Sequence, residues 1–130
     1  MPLTILPVFI QAGQSLSDPV DCSAGPIVKI TQPGAWNGAA PLSFQTSSDG
    51  LMFNDVFEPD GTELKFVVIA GTGVIGMRLN VGFVKFRSGT REVPHPQPEL
   101  REFAVALDVL GTAPPAGNEL RVRLLGAFQP

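Results

Sequence analysis

The sequence predicts an all-β protein: a single antiparallel β-sandwich, jelly-roll-like, with extended termini. Three observations predict it. The 14 glycines and 13 prolines among 130 residues cut the chain into short pieces, which suits strands joined by tight turns. Within those pieces apolar and polar residues alternate with the period of two that a half-buried strand requires. Turn signals between them recur at roughly the 8–12-residue spacing of sandwich folds. With 44% hydrophobic content, the length suits one core, since single domains commonly run to roughly 100–150 residues.

Taken in order, the first candidate strands are PVFIQA at 7–12 and PIVKITQ at 26–32. LSFQTS follows at 42–47, with Leu42, Phe44 and Thr46 on one side and Ser43, Gln45 and Ser47 on the other. Ser48-Asp49-Gly50 is a turn, because glycine takes positive φ without penalty and aspartate bonds locally to the backbone. A return strand begins at Met52 or Phe53 and runs through Val56 and Phe57, closed by a second Asp-Gly turn in EPDG at 58–61. ELKFVVIA at 63–70, GVIGMRLN at 73–80 and GFVKFRS at 82–88 repeat the same grammar.

VPHPQPEL at 93–100 holds prolines at 94, 96 and 98, which makes it an extended connection outside any sheet. In REFAVALDVL at 101–110, Phe103, Val105, Leu107 and Val109 line one face at strand spacing. Its alanines and leucines leave a helix open, and the alternation favours a strand. Beyond Gly111, TAPPAGN reads as a linker and ELRVRLLGAF as an amphipathic strand with Arg121 and Arg123 opposite Leu120, Val122 and Leu124. The sandwich domain is therefore placed at 1–112, with 113–130 a C-terminal arm or the final strand of the home sheet.

Charge excludes several function classes. A net charge of −3 at pH 7 and a pI near 5.0 give no positive footprint for phosphate, so nucleic acid is not an expected partner. The nine basic residues are scattered, and their expected place is on solvated strand faces. The apolar start MPLTILPVFIQAG carries no Lys or Arg and is broken by Pro2 and Pro7, unlike a secretory signal. The run at 66–77 is about half a membrane span and holds three glycines, so a soluble protein without membrane contact is expected.

The residues that could carry chemistry each have a plainer role. Cys22 is the only cysteine, which excludes an internal disulfide and any multi-cysteine zinc site and leaves a small buried hydrophobe. His95 is the sole histidine, in the proline-rich connection, with no second nitrogen ligand and no nearby serine–acid pair. Asp55, Glu58, Asp60 and Glu63 cluster around the second turn, but their spacing is not that of an EF-hand loop. SSDGLMF has the residue types of a sialidase-propeller turn without its spacing, and it occurs once where blades would repeat it. Trp36, between glycine-rich turns, is a core plug or a platform for a sugar ring.

The succession AGQSLSDPVDC, IVKITQPGAW, APLSFQTSSDGLMFNDVFEPDGTEL and GFVKFRSGT with its Pro-rich loop and REFAVALDVL resembles a widespread group of small tailed-bacteriophage virion proteins. The matching positions are Gly13–Asp21, Trp36, Ser43–Phe53 and Lys85–Thr90, and the resemblance covers roughly residues 10 to 110. It brings no catalytic residues, no cofactor and no metal. It implies a β-sandwich on a phage particle, a decoration or cement protein that binds the major capsid protein and itself, as a dimer or trimer. Such a protein is made in the host cytoplasm and resides on the capsid surface. The termini are its natural clamps, so Leu120, Val122, Leu124, Leu125 and Phe128, together with Val8 and Phe9, are the expected partner-binding residues. A glycan-binding module built on Trp36, or a head–tail or tail component, are the competing expectations, and an enzyme comes last.

Overall fold

Alternating side chains can bury one face of a strand only if a second sheet meets that face, and the chain meets this demand by wrapping on itself. The computed structural model describes residues 3–71, 74–80 and 82–109. Nine strands lie among them: β1 (Leu3–Ile10), β2 (Val20–Cys22), β3 (Ile27–Thr31), β4 (Leu42–Ser47), β5 (Asn54–Asp55), β6 (Lys65–Phe66), β7 (Val74–Leu79), β8 (Gly82–Ser88) and β9 (Arg101–Asp108). One sheet has the order β1-β9-β3-β7, the other β2-β8-β4-β5, with β6 pairing further along the same side of β4. Every pairing is antiparallel. First pairs with last, second with last but one, third with β7, and β4 with the short strands that follow it. This is a long hairpin rolled into two layers, the jelly-roll connection.

The inner faces interlock as the alternation requires. Val8, Ile10, Ile27, Ile30, Val105 and Leu107 from the first sheet meet Leu42, Phe44, Val84 and Phe86 from the second, all with at most 1% exposure. A chain of rings runs along the second sheet from Phe66 to Phe44 to Phe86 and then crosses to Phe103 of the first, each an edge-on pair with centroids 5.4–5.7 Å apart, a geometry that aromatic quadrupoles favour. Trp36 packs against this core, and its indole N–H donates to the Ala40 carbonyl at 2.8 Å. Cys22 is buried as well; desolvation, with a smaller push from Asp21, raises its thiol pKa to about 11, which makes it a hydrophobe and not a nucleophile.

Several expectations need correction. The N-terminal strand begins at Leu3, not at position 7, and contains Pro7. An edge strand tolerates this, because its outward N–H positions have no ladder partner to lose. The return strand after the first Asp-Gly turn shrinks to Asn54–Asp55, and the stretch at 63–70 yields only Lys65–Phe66. Val20–Cys22 pairs with β8 although three residues are too few to show a period. The stretch 101–108 is a strand, with Phe103, Val105 and Leu107 inward as the spacing predicts. No helix among the described residues is long and apolar enough to cross a membrane.

Candidate functional site

The outer faces of the two sheets, built from the same kind of alternating strand, have been treated in opposite ways. On the second sheet, β8 turns Phe83, Lys85 and Arg87 outward, and the segment from Asp49 to Glu63 supplies a partner for each. Gly50 lies over Phe83, so that a Cβ there would stand 3.5 Å from the ring. The Lys85 ammonium sits 4.5 Å from the centre of the Phe53 ring, within cation–π range. Arg87 donates from Nη1 to Asp55 Oδ1 at 2.8 Å, from Nη2 to Glu63 Oε2 at 2.6 Å, and from Nε to Ser43 Oγ at 3.0 Å. Its side chain keeps only 7% exposure. Arg91 adds a second cation on Asp55 Oδ2 at 3.2 Å, and its guanidinium covers Phe57 at 5.5 Å.

The expectation that the basic residues stand on solvated faces is therefore wrong for Arg87. The carboxylate cluster is not a calcium loop either. Asp55 and Glu63 are committed to arginine, and Asp60 accepts from the Thr62 N–H and hydroxyl. Among the described residues no group of three metal-ligating side chains is assembled. Partial burial works to raise the Asp55 pKa, but hydrogen bonds from Arg87, Arg91 and Gln45, with the arginine charge, outweigh it and hold the carboxyl below its ordinary range. Ser43 and Ser47, expected on the solvent side, are buried under the same cover.

Asp49 and Gly50 form a turn. Gly50 has φ of 80°. Asp49 Oδ1 accepts from the Leu51 N–H at 2.9 Å, the Ser47 hydroxyl at 2.8 Å and the Met52 N–H at 3.2 Å, and these bonds lower its pKa. Ser47 Oγ in turn accepts from the Gly50 N–H at 2.9 Å. A shallow groove of about 280 Å³ beside the turn is lined by Thr46, Ser47, Ser48, Asp49, Met52 and Asn54. The carboxylate and hydroxyl that give it a chemical look are spent on holding the backbone.

The segments that carry the phage-protein resemblance converge on β8. Phe86 and Ser17 exchange bonds, with the Ser17 N–H on the Phe86 carbonyl at 2.8 Å and the Phe86 N–H on Ser17 Oγ at 2.9 Å. The Ser88 N–H donates to the Ser15 carbonyl at 2.7 Å, and the Ser43 hydroxyl to the Gly89 carbonyl at 2.7 Å. Gln97, fully buried, accepts from the Asn37 N–H at 2.8 Å and donates to Ser88 Oγ at 3.0 Å, tying the Pro-rich connection to the loop after Trp36. His95 lies against Gly38, and its Nε2 is buried with no hydrogen-bond partner among the described residues. These motifs are scaffold.

The outer face of the first sheet is open. Along edge strand β1 the outward residues are Leu3, Ile5, Pro7 and Phe9, with Leu3 44%, Ile5 58% and Phe9 37% exposed. Opposite them on β9 lie Ala106, paired to Ile5 and to Lys29, and Ala104, paired to Pro7 and to Thr31. Larger neighbours flank the alanines, and Ala106 keeps only 2% exposure. Charge borders it: Glu102 faces Phe9, and Arg78 on β7 reaches Asp108 at 3.5 Å. Of the expected partner-binding residues, Phe9 belongs to this surface. Val8 does not; it points the other way along the pleat and is fully buried between the sheets. Leu120, Val122, Leu124, Leu125 and Phe128 lie outside the described residues. Sequence reading missed Leu3 and Ile5, whose signal was their spacing of two on either side of Thr4.

Comparison of the chain with protein-family models, with curated proteins and with solved structures finds no match.

Proposed function

We propose that this is a non-enzymatic virion structural protein, a capsid decoration or cement protein that stabilises a tailed-phage head by bridging neighbouring capsid subunits. The open apolar face of the first sheet carries the reading. A small two-layer domain that closes one outer face with ion pairs and leaves Leu3, Ile5 and Phe9 uncovered on the other has a surface suited to docking on protein. The motif succession described above supplies the phage context. The partners proposed are the major capsid protein and further copies of the chain.

Sugar binding loses support from Trp36, because the ring packs on the core and its N–H is taken by Ala40. Chemistry at the Asp49 turn loses support in the same way, since the carboxylate is held by its own backbone. Electron microscopy of intact particles that carry this protein tests the proposal. Density for the sandwich is expected on the outer head surface, with the β1–β9 face toward capsid or toward a second copy. Density confined to the tail or to the head–tail junction rejects it.

A further inference from the structure

We propose that Asn37-Gly38 is a self-modification site: the Gly38 amide nitrogen attacks the Asn37 side chain, and this exposed asparagine ages into aspartate or isoaspartate while the protein stays folded. The inference is independent of the virion reading and rests on described residues alone.

Three pairs of asparagine or aspartate followed by glycine occur in the sequence, at 37–38, 49–50 and 60–61. Glycine has no side chain to crowd its own nitrogen, and all three glycines have positive φ, of 71°, 80° and 92°. Their surroundings differ. At Asp49-Gly50 both reacting groups are engaged: the carboxylate accepts from Leu51, Ser47 and Met52, and the Gly50 N–H donates to Ser47 Oγ at 2.9 Å. Asp60-Gly61 is engaged in the same way, with Asp60 Oδ1 accepting from the Thr62 N–H at 2.9 Å and hydroxyl at 2.7 Å, and the Gly61 N–H donating to the Glu58 carbonyl at 2.9 Å. These bonds lower both carboxyl pKa values, and a carboxylate held ionised is a poor acceptor for a nitrogen nucleophile. At Asn37-Gly38 neither group is engaged. Asn37 is exposed and enters hydrogen bonds only through its backbone. Neither its side-chain amide nor the Gly38 N–H has a partner among the described residues.

The backbone permits the attack. Bringing the Gly38 nitrogen to Asn37 Cγ turns the bond between Asn37 Cα and its carbonyl carbon, which moves the carbonyl and leaves the Asn37 N–H in place. That N–H is the firm contact, 2.8 Å from Gln97 Oε1, whereas the carbonyl is held by Gln97 Nε2 at 3.3 Å, too long a bond to oppose the rotation strongly.

The reaction balances with water as its one co-reactant. The Gly38 nitrogen bonds to Cγ as the Cγ–Nδ2 bond breaks, and the side-chain nitrogen leaves as ammonia with the Gly38 proton. The cyclic imide then adds water. Opening at Cγ restores the main chain and leaves aspartate; opening at the Asn37 backbone carbonyl reroutes the chain through Cγ and leaves isoaspartate. Either product adds one negative charge to a chain of net −3. Isoaspartate also inserts a carbon between the two backbone groups that Gln97 holds. Gln97 is fully buried and is bound to Ser88 Oγ and Arg101 Nε at 3.0 Å each, so it cannot follow the displaced carbonyl without leaving buried polar groups unmet. The modification therefore loosens the tie between the Pro-rich connection and the loop after Trp36.

Ageing of the full chain tests this. The folded protein is incubated at physiological temperature and mildly alkaline pH beside the tryptic peptide 30–65, which holds all three pairs. Electron-transfer fragmentation then locates the amide-to-acid mass gain and distinguishes isoaspartate from aspartate at each position. In the folded chain Asn37 is expected to convert while Asp49 and Asp60 stay unchanged; in the peptide the two aspartates lose their protection and isomerise as well. The urea midpoint of the folded protein should fall as the converted fraction rises. Asn37→Gln, whose longer side chain closes the ring far more slowly, should keep its midpoint over the same period. The proposal is overturned if Asn37 stays intact in the folded chain, if Asp49 or Asp60 isomerises there as fast as Asn37 reacts, or if the converted protein unfolds at the midpoint of the fresh one.

Discussion

The outer face of the second sheet and the outer face of the first differ in what their outward residues meet. On β8, Phe83, Lys85 and Arg87 each find a partner from the Asp49–Glu63 segment, 24 or more residues away in sequence. On β1, Leu3, Ile5 and Phe9 meet water. In a two-layer fold the inner faces are fixed by the need for a core, while each outer face is free to be closed or left available. Closing one with a half-buried arginine network is a way to hold a long loop still. The other keeps Leu3, Ile5 and Phe9 exposed, the residues that the proposed docking would cover.

The comparison can be broken most severely at Arg87. Arg87→Met removes the buried cation from Asp55 and Glu63, leaving Asp55 with Arg91 alone and Glu63 with little access to water and no cation. A loss of about 3 kcal/mol is expected, at the lower end of the range for an orphaned buried charge because Asp55 is partly exposed and keeps Arg91. Urea unfolding measures it, and a change below about 0.5 kcal/mol, the size of an ordinary surface substitution, means that the network does not hold the cover.

Next is Gly50→Val, which forces a β-branched residue to φ near 80° and pushes its branches toward Phe83. It should cost about 1–3 kcal/mol. Asp49→Ala should lower the melting midpoint by less, since it removes acceptors for exposed N–H groups and forces no strain. If Asp49→Ala proved the more damaging of the two, the turn would have a role beyond backbone shape.

Acid should distinguish the faces without any substitution. Asp55 has a folded pKa below its unfolded value of about 3.9. Its stabilisation is therefore complete above that value and is lost as pH falls through the folded pKa. The urea midpoint should drop as pH falls below the ordinary carboxylate range, and the Asp55→Asn protein, already weaker at neutral pH, should show a shallower drop. Parallel curves for the two proteins would detach the acid response from the network.

The smallest effect on stability is expected on the open face. Ile5→Ser alters a side chain that is 58% exposed and should change the folding free energy by no more than about 0.5 kcal/mol. Self-association should nevertheless weaken, read by light scattering across a concentration series. A large loss of stability from Ile5→Ser in the dilute monomer would mean that the face is already covered within one chain.

Local pattern made part of this legible. The alternation in 42–47 and 101–108 identified which residues face the core, and the Asp-Gly pairs identified both turns, because these signals need only neighbours in sequence. The cover on the second sheet was half visible. Asp55 and Glu63 stood out as a carboxylate cluster, but their partner lies 32 and 24 residues further on, in a strand whose arginine looked solvated. Such a partner becomes predictable once β4 and β8 are known to be adjacent, and adjacency is a non-local fact. Val8 and Phe9 show the same limit: being neighbours, they cannot share a face of one strand, and only the position of the second sheet decides which of them is buried.

The pairing of β1 with β9 also sets a timetable. Leu3 cannot meet Asp108 until nearly all of the described sandwich has been synthesised, so a ribosome making this chain releases β1 long before the strand that pairs with it. Folding that waits on such distant partners belongs to the slow class, milliseconds to seconds in place of microseconds. During that interval the segment Leu3–Ile10 is a sticky ribbon in a crowded cell. Pro7, in the middle of that ribbon, denies a stray strand one rung of the ladder it would need to adhere, and so guards the nascent chain during its own synthesis.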